Sequence, residues 1–91
     1  MTNIDLTEVA NYLLAQQQLS DMTEALDALL TPYEQQELVH RLQIFTLLAA
    51  GVSQREVAKQ VGVGIATVTR GSKAFQAGKF HPEKLSNGTS L

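Results

Sequence analysis

The sequence predicts an all-α chain of five to six helices that includes a helix-turn-helix. Three observations lead there. Apolar residues recur at spacings of three and four along most of the chain, which is the period of a helix and not of a strand. Asp5 with Glu8, Asp21 with Glu24, Thr31 with Glu34 and Ser53 with Glu56 each stand in the capping-box relation that opens a helix. Ser53 to Lys73, SQREVAKQVGVGIATVTRGSK, holds two short helical patterns across a tight glycine-containing turn.

The first helix starts at Asp5 and Glu8 and runs to about Gln18, with Ile4, Leu6, Val9, Leu13 and Leu14 as its apolar residues. That is a large apolar share for a terminal helix, so it packs on something, a second subunit included. Ser20-Asp21 opens the second helix, whose apolar set is Met22, Ala25, Leu26, Leu29 and Leu30. Thr31-Pro32 ends it, because the residue before a proline is pushed away from helical angles. The same dipeptide starts the longest helix: Thr31 caps, Pro32 takes the first helical position and Glu34 closes the box. Leu38, Leu42, Phe45, Leu48 and Ala49 form its stripe, widened by Val39, Ile44 and Leu47. A stripe that wide implies burial on more than one side, as in a bundle or a dimer. Gly51 supplies the left-handed stop, and Val52 leads directly into the cap Ser53.

Within the helix-turn-helix, three steric demands are met at the right offsets from Gln54. Ala58 is small enough for the helices to cross closely. Gly62 can take the left-handed conformation that the turn needs. Val68 plugs the angle between the helices. The second helix places Ile65, Val68, Ser72 and Phe75 on one face. The pattern fades after Ala77, where Gly78 and Pro82 interrupt it. Phe80 and Leu85 make one short docking turn, Asn87-Gly88-Thr89-Ser90 is loop-like, and disorder is expected over roughly the last six residues. Residues 1–80 therefore form a single helical DNA-binding and dimerisation domain, with the helix-turn-helix at 54–76, and 81–91 form a short flexible tail.

Bulk composition narrows the function. Ninety-one residues make one small domain that buries a limited share of its surface alone, so oligomerisation is expected. With no cysteine there is neither a disulfide framework nor a thiolate metal site. No basic segment precedes an apolar run at the start and no stretch reaches membrane-spanning length, so the cytoplasm is the expected compartment. The net charge of −2 is unevenly spread: residues 1–50 carry seven acids and the single base Arg41, whereas residues 51–91 carry six bases and two acids. The positive half holds the helix-turn-helix, and repulsion of the acidic half from phosphate would orient the chain on a duplex. The chain is not expected to be an enzyme. His40 and His81 have no paired carboxylate or nucleophile pattern, and there is no phosphate-cradling glycine motif or metal-ligand cluster.

LLTPYEQQELVHRLQIFTLLAAG followed by SQREVAKQVGVGIATVTRGSKAF resembles the bacterial tryptophan repressor family over about Leu29 to Phe75. GIATVTRGS is the most specific part, and LLTP with Arg41 ten residues beyond Thr31 is a second match. The resemblance implies an intertwined homodimer whose recognition helices each enter the major groove of one half of a palindromic operator. It implies L-tryptophan as corepressor, and no cofactor.

The resemblance assigns the corepressor site to Ala28, Leu30, Thr31, Arg41, Arg70, Gly71 and Ala74. The chemistry of an amino acid fits those residue types. Arg70 holds the carboxylate while its plane and that of Arg41 sandwich the indole, tasks for planar arginine and not for lysine. The carbonyl end of the second helix, at Ala28 and Leu30, suits an ammonium, and Thr31 adds a hydroxyl. Gly71, in a helix interior at a cost of about 1 kcal/mol against alanine, lets a ring lie flat on the backbone. Ala74 departs from the family, which has a serine there whose hydroxyl helps with the ammonium. The linker at Val52 is one residue shorter than usual, and the tail is too short for the family's last helix, which helps complete the dimer.

Toward DNA, Ile65, Ala66, Thr67 and Thr69 should face base edges near the start of the recognition helix, with Gly64 at its mouth. Arg55 is the candidate for a direct guanine contact, and Gln54, Lys59 and Lys73 for phosphates. Ala58 stands where the family often has a lysine, and Lys59 substitutes for it. Few of the base-facing side chains are long hydrogen bonders, so water-mediated and shape readout carry weight; the tryptophan repressor is itself the standing example of the former. Half-sites should lie about 34 Å apart on a two-fold dimer. A ligand wedged between the long helix and the recognition helix would hold the latter at the angle the groove requires.

Each of these residues also has a plainer role. Arg41 could pair with Glu37 four residues earlier, Gly71 could allow close helix packing, and Thr31 is fully explained as a cap. A helix-turn-helix protein that needs no tryptophan explains Ser53 to Lys73 but not Arg41 and Gly71. A purely structural helical domain leaves the positive half idle.

Overall fold

The structure, a computed structural model, describes residues 3–86. The loop expected at Asn87-Gly88-Thr89-Ser90, and most of the expected disorder, lie outside the described residues. Five α-helices and one 3₁₀ turn follow in order: α1 (Leu6–Leu14), α2 (Leu19–Leu29), α3 (Pro32–Ala49), α4 (Gln54–Val61), α5 (Ile65–Gln76) and the turn Pro82–Lys84. No strand occurs among the described residues. The chain falls into two compact units that divide between Gln36 and Glu37.

In the first unit, Asp5 caps α1, its carboxylate accepting from the Glu8 amide at 3.2 Å. The helix ends at Leu14, four residues before the expected Gln18. There the Gln16 side-chain amide donates to the Tyr12 carbonyl at 2.8 Å, satisfying an end carbonyl that another helical turn would have used. α2 begins one residue before Ser20, with Gln18 at the cap position and no side-chain bond from it. The expected Ser20-Asp21 start is therefore wrong: Ser20 is already helical. The inner face of α2 is thin, with Ala25 alone fully buried. Ile4, Leu6, Leu14 and Leu19 are all more than two-thirds exposed.

The start of α3 is the complete reciprocal box expected of Thr31 and Glu34. The Glu34 amide donates to the Thr31 hydroxyl at 3.1 Å, and the Thr31 amide donates to the Glu34 carboxylate at 2.9 Å. The bond from the Thr31 backbone, followed by the one from its hydroxyl, holds the Glu34 carboxyl below its ordinary value of 4.5. Because the folded value is the lower one, the cap contributes in full above the ordinary glutamate range and is lost as pH falls through the depressed value. Carboxyl titration followed by NMR is expected to place the Glu34 midpoint below 4.5, and Glu34→Gln should remove the matching acid-range loss of helicity.

The second unit is built on Ile44, Val57 and Val68, one residue from each of α3, α4 and α5, all essentially inaccessible. Phe45, Leu47, Leu48, Val52, Ala58, Val61 and Val63 pack around them. α3 stops in a Schellman arrangement at Gly51 (φ +86°), with the Val52 amide on the Leu47 carbonyl and the Gly51 amide on the Leu48 carbonyl. Ser53 caps α4 through the Glu56 amide at 3.3 Å, and Gly62 takes the left-handed turn at φ +79°. Phe80 closes this unit by joining Phe45 and Phe75, with ring centroids 5.4 and 6.3 Å away.

The wide stripe of α3 is only partly covered within the chain. Leu38, Val39 and Leu42 are each nearly half exposed. Val39, Leu42, Gln43, Thr46 and Leu47 of α3, with Gln60 and Val61 of α4, line an apolar groove of about 390 Å³. On α5 the expected face is buried at Val68 and Ser72, but Ile65 is 53 % exposed. As the first residue of the helix it stands almost a full turn ahead of the Val68 plug.

Candidate nucleic-acid and ligand interface

α5 lies across α4 with Val68 buried between them, and this packing fixes what α5 shows to solvent. Ile65, Ala66 and Thr69 are exposed, as is Gly64 at the helix mouth. Thr67 is not on that face. It is half-buried and lines a cleft against α3, where its hydroxyl accepts from Arg70 Nη2 at 3.3 Å. Arg55, Lys59 and Lys73 are exposed on α4 and α5. Gln54 turns inward. Its amide nitrogen donates to Ser72 Oγ at 3.2 Å, and its amide oxygen accepts from Thr69 Oγ1 at 3.1 Å.

Charge follows the same division. All seven lysines and arginines of the chain lie in the unit that begins at Glu37. A surface so composed favours a polyanion, and an exposed helix of small and hydroxyl-bearing residues between exposed cations is shaped for a groove.

The cleft between α3 and α5 is lined by Glu37, His40, Arg41, Ile44, Thr67 and Gly71. It joins two of the expected ligand residues, Arg41 and Gly71; Arg70 and the half-buried Ala74 are not among its lining residues. Both arginines are exposed and rest on their own helices. The Arg41 guanidinium sits 6.0 Å from the Phe45 ring centre, one turn on, and Arg70 leans back on Thr67. Gly71 is buried, and a Cβ built on it would lie 3.0 Å from Ile44 Cγ2. Close packing of α5 on α3 thus accounts for Gly71 here. The cleft volume of about 30 Å³ suits a water or two, so an indole enters only if side chains swing or α5 shifts.

Ala28, Leu30 and Thr31 belong to the first unit. Ala28 is exposed near the end of α2, and Leu30 is its extended cap residue. The Leu30 carbonyl already accepts from Gln35 Nε2 at 3.0 Å, and Asp27 accepts from the same nitrogen at 2.9 Å. The Thr31 hydroxyl serves the α3 cap.

Sequence reasoning named Glu37 only as an ion-pair partner for Arg41, His40 only as a histidine without a catalytic pattern and Ser72 only as part of the inner face of α5, and it passed over Gln76. Glu37 and His40 share a face of α3 with Arg41 and Ile44, a spacing that projecting the helix would have shown. Ser72 and Gln76 are bridged when the Gln76 amide donates to Ser72 Oγ at 3.2 Å. No group of three or more His, Cys, Asp or Glu able to hold a metal ion occurs among the described residues. No helix among them is long and apolar enough to cross a membrane.

The sequence profile of the family described as Trp repressor protein matches residues 5–84. Among curated proteins, the chain is 47 % identical over 60 residues to a Trp operon repressor homolog of Vibrio atlanticus (strain LGP32), covering 65 % of this chain and 60 % of the relative. It is 45 % identical over 53 residues to the Trp operon repressor homolog of Aliivibrio fischeri (strain MJ11), covering 57 % and 49 %. The Vibrio cholerae Trp operon repressor homolog is also 45 % identical over 53 residues, covering 57 % and 52 %. The chain therefore spans about half to three-fifths of the length of these curated relatives. No solved structure gave a significant match.

Proposed function

The chain belongs to the Trp repressor protein family, and from that premise we propose that it is a transcriptional repressor that binds a palindromic operator as a homodimer with L-tryptophan as corepressor. The family consists of DNA-binding regulators, not enzymes. One observation carries the coupling of ligand to DNA: Arg41 on α3 and Gly71 on the recognition helix border the same cleft. A ligand that widens this cleft moves α5, the element that meets the groove. If it binds better when α5 is set for DNA, it raises the share of that arrangement. Linkage then requires DNA to tighten the ligand by the same factor.

In this reading Arg70 and Arg41 leave Thr67 and Phe45 to take the carboxylate and the ring. Ala28, Leu30 and Thr31 keep the assignment to the ammonium that the family resemblance gives them. Ala74 offers no hydroxyl, and the lost contact is worth about 0.5–1.5 kcal/mol. Arg55, Lys59 and Lys73 with Gly64, Ile65, Ala66 and Thr69 form the DNA face. The apolar groove on α3 and α4 seats a second copy of the chain. The exposed leucines of α1 and α2 are the surface that such a copy would bring, and their burial supplies about 25 cal/mol per Å².

The test is a titration of L-tryptophan followed by its own fluorescence, since the chain has no tryptophan, paired with operator binding over a salt series. Saturable binding is expected, with DNA affinity that rises with the ligand and falls steeply with salt. DNA binding equally tight with and without tryptophan would favour a helix-turn-helix protein with a different effector or none. Sedimentation should show a dimer, reduced to monomer by Leu42→Glu in the groove.

A further inference from the structure

The hydrogen bonds around Gln54 assign it a different task from touching a phosphate. Ser72 is buried at 6 % exposure, on the inner face of α5. Its hydroxyl oxygen accepts from Gln54 Nε2 and from Gln76 Nε2, each at 3.2 Å. Two donors fill the two lone pairs of a hydroxyl. In this arrangement the nitrogen of the Gln54 amide points at Ser72, and its oxygen points at Thr69. Thr69 Oγ1 lies 3.1 Å from that oxygen and 3.0 Å from the Ile65 carbonyl. A hydroxyl has one proton, and both acceptors in reach belong to the protein. Even with the Gln54 amide turned over, the Ile65 carbonyl still takes the proton.

The consequence lies on the outer face. Thr69 is exposed, with its proton engaged and a lone pair and a methyl left to offer. A phosphate oxygen only accepts, so Thr69 has nothing to give it. In the major groove the base-edge donors are the amino groups of adenine and cytosine. We propose that Thr69, its proton held by the Ile65 carbonyl, is a one-way acceptor, and that Gln54 is an internal positioning residue that ties the start of α4 to α5 and fixes where Thr69 sits, so that the protein selects an amino-bearing base at the place Thr69 meets. This rests on the DNA-binding reading above and deepens it.

The test is selection from palindromic duplexes with randomised half-sites, at saturating L-tryptophan, using the wild-type chain and Thr69→Val, Thr69→Ser, Gln54→Ala, Gln54→Met and Ser72→Ala. The wild type is expected to retain adenine or cytosine at one position of each half-site. Thr69→Val should lower that preference roughly two- to tenfold, the range of one hydrogen bond, and leave other positions intact; Thr69→Ser should keep it. Gln54→Ala, Gln54→Met and Ser72→Ala should each weaken binding to all sequences and relax the Thr69 position. Gln54→Ala combined with Ser72→Ala should be no worse than the weaker single variant, because both cut one link. Melting curves identify any variant that has merely unfolded, and Thr69→Val is an exposed change that spares the core. Unchanged preferences in Thr69→Val would overturn the proposal. So would a Ser72→Ala protein that binds like wild type while Gln54→Ala does not, since Gln54 would then touch the DNA itself. A wild-type chain that selects no sequence at all would overturn the DNA-binding reading as well.

Discussion

Arg70→Ala is expected to weaken L-tryptophan binding by roughly ten- to a hundredfold and to remove the ligand dependence of operator binding with it. The size follows from losing a charged hydrogen bond to a carboxylate, about 1.5–3 kcal/mol. Arg70 is exposed and bonded only weakly to Thr67, at 3.3 Å on the same helix. Its loss should therefore leave the Ile44–Val57–Val68 core and the melting temperature nearly unchanged. Arg41 separates charge from shape. Arg41→Ala should cost ligand affinity by loss of the flat partner for the indole, and Arg41→Lys should recover little, because an ammonium keeps the charge but not the plane. Isothermal titration with tryptophan, beside operator binding with and without it, reads both effects. Tryptophan affinity unchanged in Arg70→Ala would remove the carboxylate role from Arg70 and assign it to another group.

The parts of the fold that were legible in the sequence are those that one or two neighbouring residues decide. Thr31, Pro32 and Glu34 contain a whole helix start, and the structure shows both reciprocal bonds. Gly51 and Gly62 mark stops because a positive φ excludes most other residues. Val68 was legible as the plug because the motif fixes its offset. The start of α2 was not, because Gln18 occupies the cap position with no side-chain bond, leaving no local chemistry to detect. The inward turn of Gln54 was invisible for a different reason. Its partners Thr69 and Ser72 are fifteen and eighteen residues away, and a glutamine at the head of an exposed helix looks solvated until the second helix is laid across it. Thr67 was misplaced as well. Nearness to the start of the helix grouped it with Ile65 and Ala66, whereas the helical period turns residue 67 away from Ile65 and toward α3, where it lines the cleft.

Ile44→Ala is expected to destabilise the chain by about 2–5 kcal/mol, a large part of the 5–15 kcal/mol a small domain has. Ile44 is 2 % exposed and joins α3 to both helices of the helix-turn-helix, so its loss leaves a cavity at the centre of the second unit. The same side chain decides what Gly71 tolerates. Gly71→Ala gains about 1 kcal/mol of helix propensity, but its new methyl must sit 3.0 Å from Ile44 Cγ2. Overpacking costs about 1–3 kcal/mol, so in the wild-type background the change should be neutral to destabilising. In the Ile44→Ala background the opposing methyl is gone. Gly71→Ala then keeps its helical gain and fills part of the cavity, so it should raise stability. The sign reversal between backgrounds, measured by urea denaturation of all four proteins, separates packing from backbone effects. If Gly71→Ala is destabilising in both backgrounds, a missing side chain at Gly71 serves something other than the contact with Ile44. The ligand titration then tells whether that something is the tryptophan ring, because Gly71→Ala would weaken ligand binding even where Ile44 no longer competes for the space.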